Sequence, residues 1–136
     1  MKTAVDSSVI LDVITNDPIW ADASETELKN AVSCGPLVVG ECVLAEITPA
    51  FAPGDLEAFL MDWKILFLPS NRESAVNAGE MYRNYLKRTG AVKRVLPDFL
   101  IGAHALQHTG RLLARDRGFY RNYFSGLVLI EPESPA

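Results

Sequence analysis

Four acidic residues stand where the sequence predicts strand ends or helices, and carboxylates in such places can bind catalytic metal ions. Asp6 directly follows the first apolar run, and Asp116 comes two residues after the run that ends at Ala114. Asp98 lies at the start of a predicted helix, and Glu46 lies within another. Because the carboxyl ends of parallel strands form the ligand-binding edge of a sheet, all four side chains can reach one edge.

Carboxylates gathered at one edge repel each other unless a cation lies between them. Oxygen ligands without nearby Cys or His sets favour Mg²⁺ or Mn²⁺ over softer metals. Such ions activate water and stabilise in-line displacement at phosphorus. We therefore predict a catalytic Mg²⁺ or Mn²⁺ site whose ligands are Asp6, Glu46, Asp98 and Asp116.

Each acid also has an ordinary structural interpretation. Asp98 fits a helix N-cap, because a carboxylate there accepts hydrogen bonds from free backbone N–H groups. Asp6 and Asp116 fit turns at strand ends, and Glu46 fits a partly exposed helix position. Ser8 has two interpretations as well, since it can hold a metal-bound water or a phosphate oxygen, or cap the helix that begins there.

Five short apolar runs alternate with longer segments of helical spacing, which predicts a parallel sheet covered by helices on both faces. The predicted strands lie at 2–6, 37–39, 65–68, 111–114 and 127–130. The predicted helices span about 19–33, 71–89 and 98–108, with another over 40–62 that breaks at Pro49 or Pro53-Gly54.

Length and charge limit the classes of protein that fit this sequence. A chain of 136 residues fits one domain, which we predict over 1–130, followed by a flexible tail at 131–136. The net charge of −4 argues against a protein that coats nucleic acid by bulk electrostatics, although a local basic surface stays possible. No stretch approaches the roughly 20 apolar residues of a membrane span, so we expect a soluble cytoplasmic protein.

Four segments around the acids resemble one known family, the PIN-domain nucleases, and specifically the VapC-like toxins. These segments are 5–11, 43–47, 96–105 and 112–119, and they follow the order of the family along nearly the whole chain. The most distinctive is Pro-Asp-Phe-Leu-Ile-Gly-Ala-His-Ala at 97–105. Gly40-Glu41 departs from the family, where many relatives have Ser or Pro, so Glu41 is either a cap-region charge or a competitor of Glu46.

The resemblance implies a three-layer α/β/α PIN domain with a five-stranded parallel sheet in the order 3-2-1-4-5. It assigns the acidic metal site to the same four carboxylates and implies an endoribonuclease that acts as a toxin. It also implies a homodimer and a cognate antitoxin that wraps the toxin and blocks the acidic site. Two alternatives stay open, namely an RNA-processing PIN nuclease without toxicity and a catalytically silent binding module.

Basic residues flank the predicted site on both sides. Between Met81 and Pro97 there are five basic residues and no acidic one, and four arginines surround Asp116. Such residues can hold the phosphates that flank a cleaved bond, or they can form a solvated helix face and resting ion pairs. The candidate RNA-binding residues are Lys87, Arg88, Lys93, Arg94, Arg115 and Arg117.

The histidines and cysteines are given no chemical role. His104 and His108 have the spacing of two zinc ligands on a helix, but Ala105 stands where the metalloprotease motif needs a glutamate base. We interpret His104 as packed or hydrogen-bonded and His108 as a surface residue. Cys34 and Cys42 are predicted to be free, buried thiols, because a cytosolic protein stays reduced.

Overall fold

A computed structural model of the chain describes residues 1–90, 95–115 and 118–133. Its sheet has five parallel strands in the order β3-β2-β1-β4-β5, which confirms the predicted fold class and strand order. Every strand is three residues long and lies within or next to a predicted run. The strands are β1 (Thr3–Val5), β2 (Leu37–Val39), β3 (Ile65–Phe67), β4 (Arg111–Leu113) and β5 (Val128–Ile130).

The helices agree with the predicted segments, with two additions. The predicted break occurs at both suggested places, since a 3₁₀ turn over Thr48–Ala50 contains Pro49, and Gly54 has a φ of +88° just before the next helix. The additions to the segments given above are a short helix directly after β1, where a helix start at Ser8 was already considered, and another after β4. The α-helices of the described chain are α1 (Ser7–Ile14), α2 (Ala21–Cys34), α3 (Glu41–Ile47), α4 (Asp55–Asp62), α5 (Arg72–Thr89), α6 (Leu96–His108) and α7 (Phe119–Tyr123).

All residues of β1 and β2 are buried, although successive side chains of a strand point to opposite faces of the sheet. The sheet is therefore covered on both faces where these strands lie. Phe99 on α6 is fully buried at the centre of a cluster of aromatic rings, with ring centroids 5.3 to 6.2 Å from its own. The cluster joins α5, α6 and α7 and consists of Phe99, Tyr82, Tyr85, Phe119, Tyr123 and Phe124.

The strand order reverses between β1 and β4, and this reversal places the crevice of the sheet. β1 pairs with β2 on one side and with β4 on the other. After β1 the chain crosses over to β2, and after β4 it crosses over to β5 on the other side of the sheet. A gap therefore opens beyond the carboxyl ends of β1 and β4. The backbone N–H of Asp6 donates to the carbonyl of Leu113 at 2.9 Å, which keeps the two strand ends together.

Three smaller predictions need correction or comment. Both cysteines are free, but Cys34 is exposed at the end of α2 and Cys42 is half-buried, so neither is fully buried as predicted. His108 is not a plain surface residue, because its Nε2 is buried and its ring centroid lies 4.6 Å from that of His104. His104 is buried and hydrogen-bonded as predicted, with Nε2 2.5 Å from the carbonyl oxygen of Leu68.

The predicted tail begins with residues that contact the domain. Glu131 forms an ion pair with Arg121 of α7, and Pro132 is buried. Residues 134–136 of the predicted tail lie outside the described residues. No helix among the residues that the structure describes is long and apolar enough to cross a membrane.

Gly102 of α6 gives a test of how closely the helix packs on the chain after α7. A Cβ at Gly102 would lie 2.5 Å from Cε2 of Phe124, which is buried. We expect Gly102→Ala to lower the free energy of unfolding by about 1–3 kcal/mol, since overpacking forces the ring or the backbone to shift. Urea denaturation measures it.

The matched control is Gly79→Ala on α5, where an added Cβ meets no atom within 4 Å. Here the better helix propensity of alanine should raise the free energy of unfolding by up to about 1 kcal/mol. Equal stability of the two variants would contradict the close packing of α6 on Phe124.

Candidate active site

Asp6 lies at the carboxyl end of β1, and its side chain is the N-cap of α1. The residue is 6% exposed, so its carboxylate needs hydrogen-bond donors from the protein in place of water. The backbone N–H of Ser8 donates to Oδ2 at 3.3 Å, and the Ser8 hydroxyl donates to the same oxygen at 2.5 Å. The hydroxyl of Tyr120 donates to Oδ1 at 3.1 Å. Both carboxylate oxygens are thus fixed in direction by hydroxyl groups.

Glu46 reaches the same place from α3. The hydroxyl of Ser7, next to Asp6, donates to Oε1 of Glu46 at 3.1 Å. Partial burial raises the pKa of the Glu46 carboxyl, the charge of Asp6 raises it further, and the Ser7 hydrogen bond opposes both effects. The net direction is upward, chiefly because partial burial disfavours the charged form, with a smaller contribution from the nearby Asp6.

Tyr120 on α7 donates to Asp6 and is near enough to Asp98 and Glu46 to be affected by their charges, but it was not among the predicted site residues. Burial raises the pKa of its phenol far above the ordinary value, and the charges of Asp6, Asp98 and Glu46 add to that effect. Tyr120 therefore stays neutral and acts as a hydrogen-bond donor rather than as an acid or base. The sequence offers little to indicate this role, since Tyr120 stands four residues after Asp116 among other aromatic residues.

A cavity of about 380 Å³ opens at this edge of the sheet, and three of the four predicted acids line it: Asp6, Glu46 and Asp98. Asp98 lies in the first turn of α6, whose N-cap residue is Val95, so Asp98 is not itself the N-cap. Asp116 lies outside the described residues. The other lining residues are Ser7, Ser8, Leu11, Pro97, Arg115, Phe119 and Tyr120.

The donor chemistry of this cavity, hereafter the acidic cavity, fits a hard divalent cation. Its described ligating groups are carboxylate and hydroxyl oxygens, and no thiol or imidazole lines it. Within 1–90, 95–115 and 118–133, no three His, Cys, Asp or Glu side chains come close enough to hold a metal ion as they stand. The fit to an ion of the Mg²⁺ or Mn²⁺ type thus rests on the oxygen chemistry of the lining and not on a preassembled cluster.

One buried acid was missed by sequence reasoning, and it fixes the only cation among the described lining residues of the acidic cavity. Asp12 on α1 accepts from the Arg115 guanidinium at 2.9 Å and from the Ser24 hydroxyl at 2.7 Å. The guanidinium carbon lies 5.0 Å from the centroid of the Trp20 ring, a cation–π distance. The backbone N–H of Arg115 also donates to the Ser8 hydroxyl at 3.3 Å. The prediction that resting ion pairs compete for the arginines near Asp116 is correct for Arg115.

The other predicted site residues divide into three groups. Lys87 and Arg88 are exposed on the last turn of α5. Glu41 points away from the acidic cavity, because it accepts hydrogen bonds from the backbone and hydroxyl of Ser70, so it is a cap-region charge and no competitor of Glu46. Three predicted RNA-binding residues lie outside the described residues: Lys93, Arg94 and Arg117.

The family model of the PIN domain matches residues 3–125. The chain belongs to the PIN domain family. This confirms the resemblance drawn from the sequence motifs, and it supports hydrolysis of phosphodiester bonds, since PIN domains form a nuclease family. No curated protein sequence matches the chain.

Solved structures with the same fold include chains of three bacterial complexes. The PIN domain aligns with TM-score 0.72 and 19% identity to a chain of VapBC2 from Rickettsia felis bound to a DNA fragment from its promoter, covering 98% of this chain and 100% of that one. It aligns with VapBC-1 of nontypeable Haemophilus influenzae at TM-score 0.63 and 20% identity, covering 96% and 98%. It aligns with a chain of FitAcB from Neisseria gonorrhoeae at TM-score 0.65 and 20% identity, covering 96% of this chain and 97% of that one. At these identities the likeness shows the fold.

Loss of the Asp12 carboxylate should destabilise the PIN domain. In Asp12→Asn, the partly buried Arg115 guanidinium keeps its charge but loses its ion pair. We expect the free energy of unfolding to fall by about 2 kcal/mol, below the usual cost for a fully buried pair because Arg115 retains some solvent. Urea denaturation at neutral pH measures the change.

The control is Glu25→Gln, which breaks an exposed helix pair with Lys29 at 4.0 Å. Its effect should stay below about 0.5 kcal/mol. A value for Asp12→Asn as small as that of the control would show that the buried pair contributes nothing to stability.

The raised pKa of Glu46 gives a pH test of the crowded carboxylates. In metal-free protein, carbon-detected NMR should place the pKa of Glu46 above its ordinary value of 4.5, lower it in Asp6→Asn and raise it in Ser7→Ala. Because the folded state holds the Glu46 proton more tightly than the unfolded state, stability falls as the pH rises from 4.5 through the folded pKa. Ser33→Ala on α2 is the matched control, and an Asp6→Asn variant that leaves the Glu46 pKa unchanged would refute the coupling.

Proposed function

We propose that this PIN domain is a divalent-metal-dependent endoribonuclease and the toxin of a toxin–antitoxin pair. The observation that carries the proposal is the convergence of Asp6, Glu46 and Asp98 on one cavity at the reversal point of the sheet. Ligands of open parallel sheets bind at this point. Carboxylates crowded there need a cation, and phosphodiester hydrolysis is the chemistry that such a site serves.

The side chains that would hold Mg²⁺ or Mn²⁺ are Asp6, Glu46 and Asp98, together with the predicted ligand Asp116. The ion, when bound, supplies Lewis-acid activation of the attacking water and neutralises charge that develops at phosphorus. The acidic cavity is wide enough to admit a phosphodiester group beside the carboxylates.

Hydroxyl groups of the chain set the direction of the carboxylates. Ser8 and Tyr120 hold one oxygen each of Asp6, and Ser7 holds Glu46. Because Tyr120 remains protonated, it donates to Asp6 over the whole physiological pH range. The cap alternative for Ser8 is wrong, because Asp6 caps α1 and the Ser8 hydroxyl instead donates to Asp6 and accepts from the Arg115 backbone. We keep the proposal that Ser8 also holds a metal-bound water or a phosphate oxygen.

Three described cations, one in the acidic cavity and two at the end of α5, suit a nucleic acid strand. Arg115 lines the cavity with a guanidinium fixed by Asp12, and Lys87 and Arg88 stand exposed at the end of α5. Phosphates on either side of the cleaved bond would contact these groups, which give affinity without reading sequence. The net charge of −4 limits such binding to this local surface.

The proposed partners follow from the complexes that share the fold. Those structures are named as VapBC and FitAcB assemblies, and two thirds of the chain or more aligns with each. We propose that this PIN domain binds a cognate antitoxin over the acidic cavity and forms a homodimer. Exposed apolar side chains on α4 and β3 suit a protein contact, namely Met61, Leu66 and Phe67.

A cleavage assay with metal-ligand variants tests the nuclease. Purified protein without antitoxin, mixed RNAs and Mg²⁺ or Mn²⁺ should give cleavage that EDTA abolishes. We expect Asp6→Asn and Asp98→Asn to lose at least about 100-fold in rate, since even outer-sphere changes at metal sites cost 10- to 100-fold. Asp62→Asn, on the exposed end of α4, should cleave at the wild-type rate.

Full cleavage by Asp98→Asn would refute the metal site. No cleavage of any RNA, with no metal uptake by calorimetry, would favour the silent binding module instead. A neighbouring reading frame whose product binds this protein and stops cleavage would support the toxin. Cleavage of one structured RNA without growth arrest on expression would favour the RNA-processing alternative.

A further inference from the structure

A second cavity, of about 220 Å³, lies between the end of α5 and α7. We call it the α5–α7 cavity. Three aromatic residues line it, Tyr85, Phe119 and Tyr123, together with the charged Arg88 and the amide of Asn122. None of the described lining residues is acidic, in contrast to the acidic cavity.

Phe119 lines both cavities, so the two cavities adjoin at this aromatic side chain. A strand whose phosphate lies at the carboxylates would therefore bring its neighbouring nucleotide to the α5–α7 cavity. This continuity is what distinguishes the cavity from other depressions of the described surface, such as the one between α5 and α6 near Val76 and Gln107.

The lining matches the chemistry of a nucleobase. Tyr85 is buried and forms the floor, whereas Phe119 and Tyr123 are half-buried and leave part of their rings accessible. Phe119 and Tyr123 have centroids 5.7 and 6.0 Å from that of Tyr85, with both rings edge-on to it. Rings held in this way offer stacking surface at little cost in side-chain entropy.

Two exposed polar groups add direction and charge. The Asn122 side chain carries a donor and an acceptor, which is what pairing with a base edge requires. The Arg88 guanidinium can bind a phosphate or lie flat on a base. Single-stranded RNA is recognised by this combination of stacking and edge hydrogen bonds.

We propose that the α5–α7 cavity binds the nucleobase next to the cleaved phosphodiester and sets the sequence preference of cleavage. The proposal rests on the proposed nuclease function, and it names Asn122 as the residue that discriminates bases. Phe119 and Tyr123 supply stacking, and Arg88 holds the adjoining phosphate. An aromatic side chain of a protein partner is the competing occupant, and the experiment separates the two.

The test measures binding without metal, so that it does not depend on cleavage. Four fluorescein-labelled homopolymeric single-stranded RNAs, one for each base, are titrated with the protein in EDTA. Binding is followed by fluorescence anisotropy. Wild-type protein should prefer one base several-fold, and Asn122→Ala should reduce that preference to less than about twofold. Arg88→Ala should weaken the binding of all four RNAs by a similar factor, about threefold to tenfold. The affinity of this variant should also depend less on salt concentration than that of the wild type.

Matched controls lie on the exposed side of α5. Asn84→Ala and Arg83→Ala remove the same side-chain types from positions that do not line the cavity, and they should bind as wild type does. Side-chain amide NMR gives a second measurement. The Asn122 signal should shift on addition of the preferred nucleoside monophosphate, and the Asn84 signal should not.

Equal binding of all four RNAs, with Asn122→Ala and Arg88→Ala indistinguishable from wild type, overturns the nucleobase site even if metal-dependent cleavage is present. Loss of base preference in Asn122→Ala supports the site even if no RNA is cleaved, and the nuclease proposal then fails alone. An Asn122 signal that responds to a partner polypeptide but to no nucleotide also overturns the proposal.

Discussion

The Asp6 carboxylate lies at the junction of β1 and α1, where burial of an unpaired ion would cost several kcal/mol. Its neighbourhood consists of donors that offset this cost, supplied by Ser8 and by Tyr120. The Ser8 hydroxyl in turn accepts from the backbone of Arg115. The end of β1, the start of α1, the end of β4 and α7 are therefore joined through a single charged group.

Much of this arrangement follows from sequence because parallel sheets obey simple rules. Short apolar runs that alternate with helical spacing predicted all five strands, and β1 and β2 are fully buried as such runs suggest. The expectation of burial was wrong for the edge strands β3 and β5, because each has a neighbouring strand on one side only and leaves part of its side chains exposed. Acids next to strand ends predicted the edge at which Asp6, Glu46 and Asp98 meet. The strand order itself came from the family resemblance, since spacing alone does not say which strands are neighbours.

The missed features share one property, which is that their meaning depends on contacts between distant parts of the chain. Tyr120 meets Asp6 across 114 positions, and Arg115 meets Asp12 across 103. In the sequence, Asp12 looks like an ordinary polar position of an amphipathic helix, although the fold buries it beneath Arg115 and Ser24. The exposure of Cys34 likewise depends on where α2 ends. Local patterns carry no information on such pairings.

The strands of three residues have a consequence for aggregation. The edge strands β3 and β5 are the unpaired margins of the sheet, and they expose Leu66, Phe67 and Val128. Long apolar edges invite pairing with another chain, and natural sheets blunt them with charges, bulges or brevity. In this PIN domain the edge strands are short, and three residues offer too few free backbone groups to start a stable intermolecular hydrogen-bond ladder. The PIN domain can thus expose apolar side chains at the margins of its sheet while remaining a poor template for amyloid-like growth.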